Sequence, residues 1–148
     1  MNMPFSLRAL FFCLTVAAVP AIAAVNRTVT ITAPASAKAA GPLQFTVTAA
    51  TEAGDAEQIA FFHAECSNDN GATWQTRYAE NVGRKVTRQI DFQAGPAGSK
   101  ALVRVRVAFR GGKAGDVDYT GAKIDWNGSW TKWETPPAKH ASVTVSAR

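Results

Sequence analysis

Between Lys100 and Arg110 the chain reads KALVRVRVAFR, and this run constrains the fold more than any other. Ala101, Val103, Val105, Val107 and Phe109 occupy every second position, while Lys100, Arg104, Arg106 and Arg110 share the opposite face with Leu102 and Ala108. Side chains alternate across a β-strand, so this period-two pattern specifies a half-buried strand with one core face and one basic face. A helix would scatter the same valines around its circumference. The run therefore asks for a sheet with a second layer packed on one side.

The remaining chain repeats that demand in shorter pieces. Val29 and Ile31 alternate with threonines until Pro34, and Leu43, Phe45, Val47 and Ala49 alternate with Gln44, Thr46 and Thr48. Ala35 to Gly41 reads as a small-residue crossover and Thr51 to Gln58 as a polar loop. Ile59 to Cys66 is apolar on both faces, with Ile59 and Phe61 on one and Ala60, Phe62, Ala64 and Cys66 on the other, which predicts a central strand. Trp74 to Asn81 reads as its hairpin partner. Arg84 to Ala94 follows with Val86, Ile90 and Phe92 in phase and Arg88 out of phase, reaching for an edge. Gly95 to Gly98 turns the chain into the basic strand, Gly111 to Lys139 is long and irregular, and Val143 and Val145 mark a closing strand. No segment sustains a helical period, so the expectation is all-β, with about seven strands in a two-sheet sandwich.

The first 23 residues stand apart. Arg8 closes a short polar segment, Ala9 to Val19 is apolar, and Ala21-Ile22-Ala23 has small residues where a signal peptidase reads them. A membrane anchor needs about 20 uninterrupted apolar residues, and Thr15 and Pro20 break this run. The expectation is a cleaved signal peptide over 1–23, a single domain over 24–148, a secreted or periplasmic location and no transmembrane span after cleavage. Cys13 departs with the signal, leaving Cys66 as a small buried residue, with an intermolecular disulfide as the other reading. The formal charge of +5 falls to +4 with the loss of Arg8, too little and too dispersed for a nucleic-acid interface. His63 has no second ligand at metal spacing and reads as a structural histidine.

Two local patterns carry resemblances. Ser67-Asn68-Asp69-Asn70-Gly71-Ala72-Thr73-Trp74 resembles the Asp-box hairpin, S-x-D-x-G-x-T-W, of sialidase propeller blades and some sandwich domains. Ser67, Asp69, Gly71, Thr73 and Trp74 fill its fixed positions, and a single copy argues for a structural hairpin rather than a propeller. In addition, Val103 to Val107 together with Trp130-Thr131-Lys132-Trp133-Glu134 is similar to the Trp/Arg ladder of cytokine-receptor fibronectin type III domains. The resemblance implies a fibronectin type III-like, immunoglobulin-like sandwich in which Trp130 and Trp133 interleave with Arg104 and Arg106. Glu134 departs from the family's second serine, Phe45 stands where a tryptophan is usual, and no tyrosine corner is evident.

Three sites follow for chemistry or binding. No serine stands in a nucleophile-elbow context and the histidines are only His63 and His140, so the expectation is a chain that is not an enzyme. Asp116, Asp118 and Thr120 place oxygens at alternate positions of a loop closed by Gly121, with Asp125 beyond. This spacing makes calcium the one cofactor to weigh, against a solvated acidic turn as the favoured reading. Trp126 and Tyr119 lie in the same connection, and Trp126 matches no ladder position, which offers it as a platform for a ligand ring. The leading reading is a non-catalytic interaction module of the cell envelope, with a protein or a glycan at the cell surface as partner. A carbohydrate-binding module using Trp126 and Tyr119 comes second, and a small secreted glycosidase-type enzyme third.

Overall fold

A computed structural model describes residues 25–128, 133 and 136–147; the proposed signal segment and Trp130 lie outside the described residues. The chain is all-β and forms eight strands in the order β1 (Arg27–Thr32), β2 (Ala37–Lys38), β3 (Pro42–Thr51), β4 (Gln58–Ser67), β5 (Gln75–Glu80), β6 (Lys85–Gln93), β7 (Lys100–Arg110) and β8 (Lys139–Ser146). They divide into a three-stranded sheet, β1-β3-β6, and a five-stranded sheet, β2-β8-β7-β4-β5. The count differs from seven because the Ala35–Gly41 crossover holds the two-residue strand β2, which pairs parallel to β8 through Ala37 and Lys38. Among the described residues no helix is long and apolar enough to cross a membrane.

The alternation of β7 does what its sequence requires. Ala101, Val103, Val105, Val107 and Phe109 are all fully buried, the last four against Phe45, Val47, Ala49, Val86 and Ile90 from the other sheet. Burying a valine or phenylalanine side chain contributes about 1.5 to 3 kcal/mol, so this facing set supplies the main cohesive term of the domain. A second cluster of Ala37, Leu43, Ala94, Ala101 and Val145 closes one end. Phe45 stacks on Phe92 with ring centroids 5.8 Å apart, filling the place where the resemblance leads one to look for a tryptophan. Cys66 is free and buried in this core.

One departure in β4 changes which residues face the core. Its register with β7 shifts between Ile59 and Phe61, a β-bulge, so Ile59 and Phe62 both face the core. Simple alternation groups Ile59 with Phe61; the bulge separates them by bringing Ile59 into the core, while Phe61 stays on the outer face in step with His63 and Glu65. Arg88 reaches the sheet edge as expected, where its Nε donates to Glu80 at 2.7 Å and its guanidinium lies 5.7 Å from the Tyr78 ring centre.

A buried ion pair ties the N-terminal strand to the loop before β4. Glu57, fully buried, accepts from Arg27 Nε at 2.8 Å and Nη2 at 2.5 Å, and from the Thr51 hydroxyl at 2.5 Å. Glu57 belongs to the stretch that reads as polar loop, and its burial is not visible in local pattern.

Candidate functional site

The outer face of the five-stranded sheet is built from the outward residues of β4 and β7. Their register sets His63 opposite Arg106 and Glu65 opposite Arg104. Glu65 Oε2 accepts from both Nε and Nη2 of Arg104, at 2.9 and 2.6 Å. Its Oε1 accepts the Thr76 hydroxyl at 3.1 Å and faces His63 Nε2 at 3.4 Å. Arg106 Nε donates to His63 Nδ1 at 3.2 Å, which places the imidazole proton on Nε2, toward Glu65. Burial, with the Arg106 charge next, holds the His63 pKa below the ordinary histidine value, while Glu65 opposes the shift. His63 is accordingly a neutral, satisfied member of this network.

Aromatic rings enclose the guanidinium groups. Arg104 Cζ lies 3.8 Å from the ring centre of Trp74 and 3.8 Å from that of Trp133, so the cation is held between two indoles. Arg106 Cζ lies 4.3 Å from Trp133, whose ring is also 4.8 Å from His63. The sequence pairs Arg104 and Arg106 with Trp130 and Trp133; the structure brings together Arg104, Arg106 and Trp133 and adds Trp74. Trp74 was assigned only to the hairpin, because nothing local shows which strand it will lie against. A cation–π contact contributes from about 0.5 kcal/mol when exposed to about 2 when desolvated, and Arg106 is buried.

The turn that presents Trp74 is organised by Asp69 and Ser67. Asp69 Oδ1 accepts from Thr73 N at 2.9 Å and the Ser67 hydroxyl at 2.7 Å, and Oδ2 accepts the Thr73 hydroxyl at 2.5 Å. Ser67 Oγ in turn accepts from Gly71 N at 2.9 Å. Gly71 has φ of 84°, which favours glycine, and a Cβ there would also press on Leu102 at 3.2 Å. The Thr73 bonds, then Ser67, hold the Asp69 pKa down at about 2. Ser67, Asp69, Gly71 and Thr73 thus shape the hairpin, and Trp74 carries it onto Arg104.

Trp126 and Tyr119 take separate places. Arg110 Cζ lies 4.6 Å from the Trp126 ring centre, and Trp126 Nε1 donates to Asp116 Oδ2. Trp126 therefore adds an Arg110–indole contact to the series on this face, beyond the ladder residues that the sequence pattern names. Tyr119 packs against the core and has Lys139 Nζ 4.7 Å from its ring. Asp116 also accepts from Arg110 at 3.0 and 3.1 Å, and that pairing, with Trp126, lowers its pKa. Asp118 Oδ1 accepts Thr120 N, the Thr120 hydroxyl and Ala122 N at 2.7, 2.6 and 3.2 Å, and Asp125 Oδ1 accepts Asn127 N at 3.0 Å. The four residues of the calcium-like spacing are thus engaged in their own turns and in Arg110. Among the described residues no group of three or more His, Cys, Asp or Glu is placed to hold a metal ion.

Next to this series, an open hollow of about 250 Å³ is lined by Phe61, His63, Arg106 and Trp126. No local pattern marks it, because Trp126 joins Phe61, His63 and Arg106 only through the path of the chain after β7.

No family model matches the chain, and no curated protein matches it. Among solved structures the chain is similar to a superoxide reductase (neelaredoxin) from Ignicoccus hospitalis, with 12% identity, a TM-score of 0.44 and coverage of 82% of this chain and 80% of that one. That structure bears the name of an enzyme, so the expectation that a chain of this class is not an enzyme is withdrawn. At this TM-score and identity the likeness assigns no activity to the chain.

Proposed function

We propose that the chain is an exported, secreted or periplasmic β-sandwich that acts as an interaction module of the cell envelope through the outer face of its five-stranded sheet. The observation that carries this reading is the concentration on one face of Phe61, Trp126, Trp133 and three arginines around an open apolar hollow. The opposite outer face has a different character: Gln44, Thr46, Thr48, Thr87, Gln89 and Asp91 cover it, with Gln44 bonded to Gln89 and Asp91 and Thr48 to Thr87 at 3.1 Å. Indole and guanidinium groups are enriched where protein surfaces make strong contacts, whereas threonine and glutamine are the ordinary outer covering of a sheet.

The finer fold reading belongs here too. The sheets β1-β3-β6 and β8-β7-β4-β5, joined by crossovers between the layers, support a fibronectin type III-like sandwich. The Asp69-centred turn supports an Asp-box hairpin, with a structural role in presenting Trp74. The signal-like sequence of residues 1–23 supports export.

The test is photo-crosslinking in cells carrying the full chain, with the crosslinker at position 61 or at Thr48 on the other sheet. Fractionation should find the protein processed and outside the cytoplasm, with adducts at position 61 and few at position 48. Retention in the cytoplasm, or equal adducts from both faces, overturns the reading.

A further inference from the structure

The hollow itself restricts what can enter it. Its walls are rings and alkyl stems, and the polar groups of its described lining are already engaged. His63 Nδ1 accepts from Arg106 and His63 Nε2 faces Glu65, while Trp126 Nε1 is bonded to Asp116. A sugar ring would bring hydroxyls on every edge, and a site that reads sugars needs donors and acceptors turned toward them. Hydroxyls buried without partners cost more than stacking returns. A flat apolar ring meets no such penalty: it can lie against Phe61 and Trp126 and take the Arg106 guanidinium at its face or edge.

The charge around the hollow adds a second restriction. Among the described residues, Arg104, Arg106 and Arg110 share this face with the carboxylates of Glu65 and Asp116, three cations against two anions. The whole chain carries +5. Such a field favours an anionic partner in encounter and in register.

From these two restrictions we infer that the hollow receives an aromatic side chain of a partner protein, flanked by acidic residues. This rests on the reading of the face as an interaction surface and names the chemistry of its partner. It sets aside the glycan platform formed by Trp126 and Tyr119, since Tyr119 lies with Lys139 and the core and is not in the lining of the hollow.

The experiment is a heteronuclear NMR titration of the processed protein with three probes: N-acetyl-L-tryptophan, its uncharged amide, and cellohexaose. N-Acetyl-L-tryptophan should shift the Trp126 indole N–H and the His63 ring signals in the millimolar range. The amide should bind severalfold more weakly, and cellohexaose should leave these signals unmoved. Phe61→Ala should weaken the tryptophan probe severalfold, and Trp126→Phe, which keeps a ring, should retain part of the binding. Shifts by cellohexaose at the same signals would overturn the inference and make the ligand of this face a glycan, leaving the face an interaction surface. Silence of all three probes, while crosslinks still form at position 61, would overturn the inference alone. Equal binding of the charged and neutral tryptophan probes would remove its acidic component, and binding unchanged in Phe61→Ala would remove the hollow from the interface.

Discussion

Replacing Glu57 with alanine should cost more than any surface change in this domain. Its carboxylate is fully buried and accepts three short hydrogen bonds, two from Arg27 and one from Thr51. The Arg27 side chain is itself only 6% exposed, so the variant would leave a guanidinium inside the protein without its counter-charge. Breaking a buried pair from one side costs about 3 to 5 kcal/mol. The total stability of a domain is typically about 5 to 15 kcal/mol, and for this size a kilocalorie corresponds to about 3 to 5 °C, so Tm should fall by about 10 to 20 °C. Urea and thermal melts of Glu57→Ala, Glu57→Gln and Thr51→Val measure the series. Glutamine retains shape and some hydrogen bonding, so it should lie between wild type and alanine, and Thr51→Val should cost about 1 kcal/mol for the single bond. The pair Arg27→Met with Glu57→Leu removes both charges and should recover most of the loss, because desolvating the ions offsets much of their attraction. If Glu57→Ala melts within a degree of wild type, the pair is not buried as described and the reasoning fails.

Three further outcomes follow from the outer face and its hairpin. Trp74→Ala and Arg104→Ala should each destabilise the domain by about 1 to 3 kcal/mol, and the double variant should cost less than their sum by about 0.5 to 2 kcal/mol in a thermodynamic cycle; strict additivity would break the stacking argument. Asp69 has a folded pKa of about 2 against an ordinary 3.8, so its contribution is complete above about pH 4 and is lost as pH falls toward 2; Tm of Asp69→Asn should be lower at neutral pH and flatter across that window. His63 is held below 6.5 by burial and by Arg106, so stability present above that pH should decline as acid protonates it; His140 shifts the same way through burial and Arg104, and a His140→Asn background isolates the His63 component by imidazole NMR and melts. An upward-shifted His63 titration would contradict the network.

How much of this was legible before folding depends on the range of the interaction. The alternation along β7, the two-faced apolar run of β4 and the punctuation by Pro34, Gly95 and Pro96 are local, and they led to an all-β, two-layer chain with the arginines of β7 on one outer face. Ser67, Asp69, Gly71 and Thr73 are also local, since a side chain and the amides it binds lie within four residues. What escaped was set by register or by distance along the chain. The extra residue in β4 reverses the phase of Phe61 relative to Ile59, and a periodicity count has no term for an insertion that the partner strand absorbs. Glu57 meets Arg27 across 30 residues, and in isolation it is one more acid in a polar loop. Trp74 meets Arg104 because the β4–β5 hairpin folds beside β7, a pairing that neither sequence contains alone. Trp126 was read as unpartnered for the same reason: its partner Arg110 ends β7, sixteen positions earlier, and the turn at Gly111 decides whether they meet. The candidate site is therefore a product of topology acting on residues whose individual sequence signals are ordinary. Removing the β4 bulge should test how far the face depends on it. Deletion of Ala60 would take out the extra residue and make Ile59 and Phe61 consecutive, so regular alternation would keep Ile59 in the core and Phe61 on the outer face with His63 and Glu65. Under this account the deletion should keep the adducts at position 61, and their loss would show that the bulge itself shapes the face.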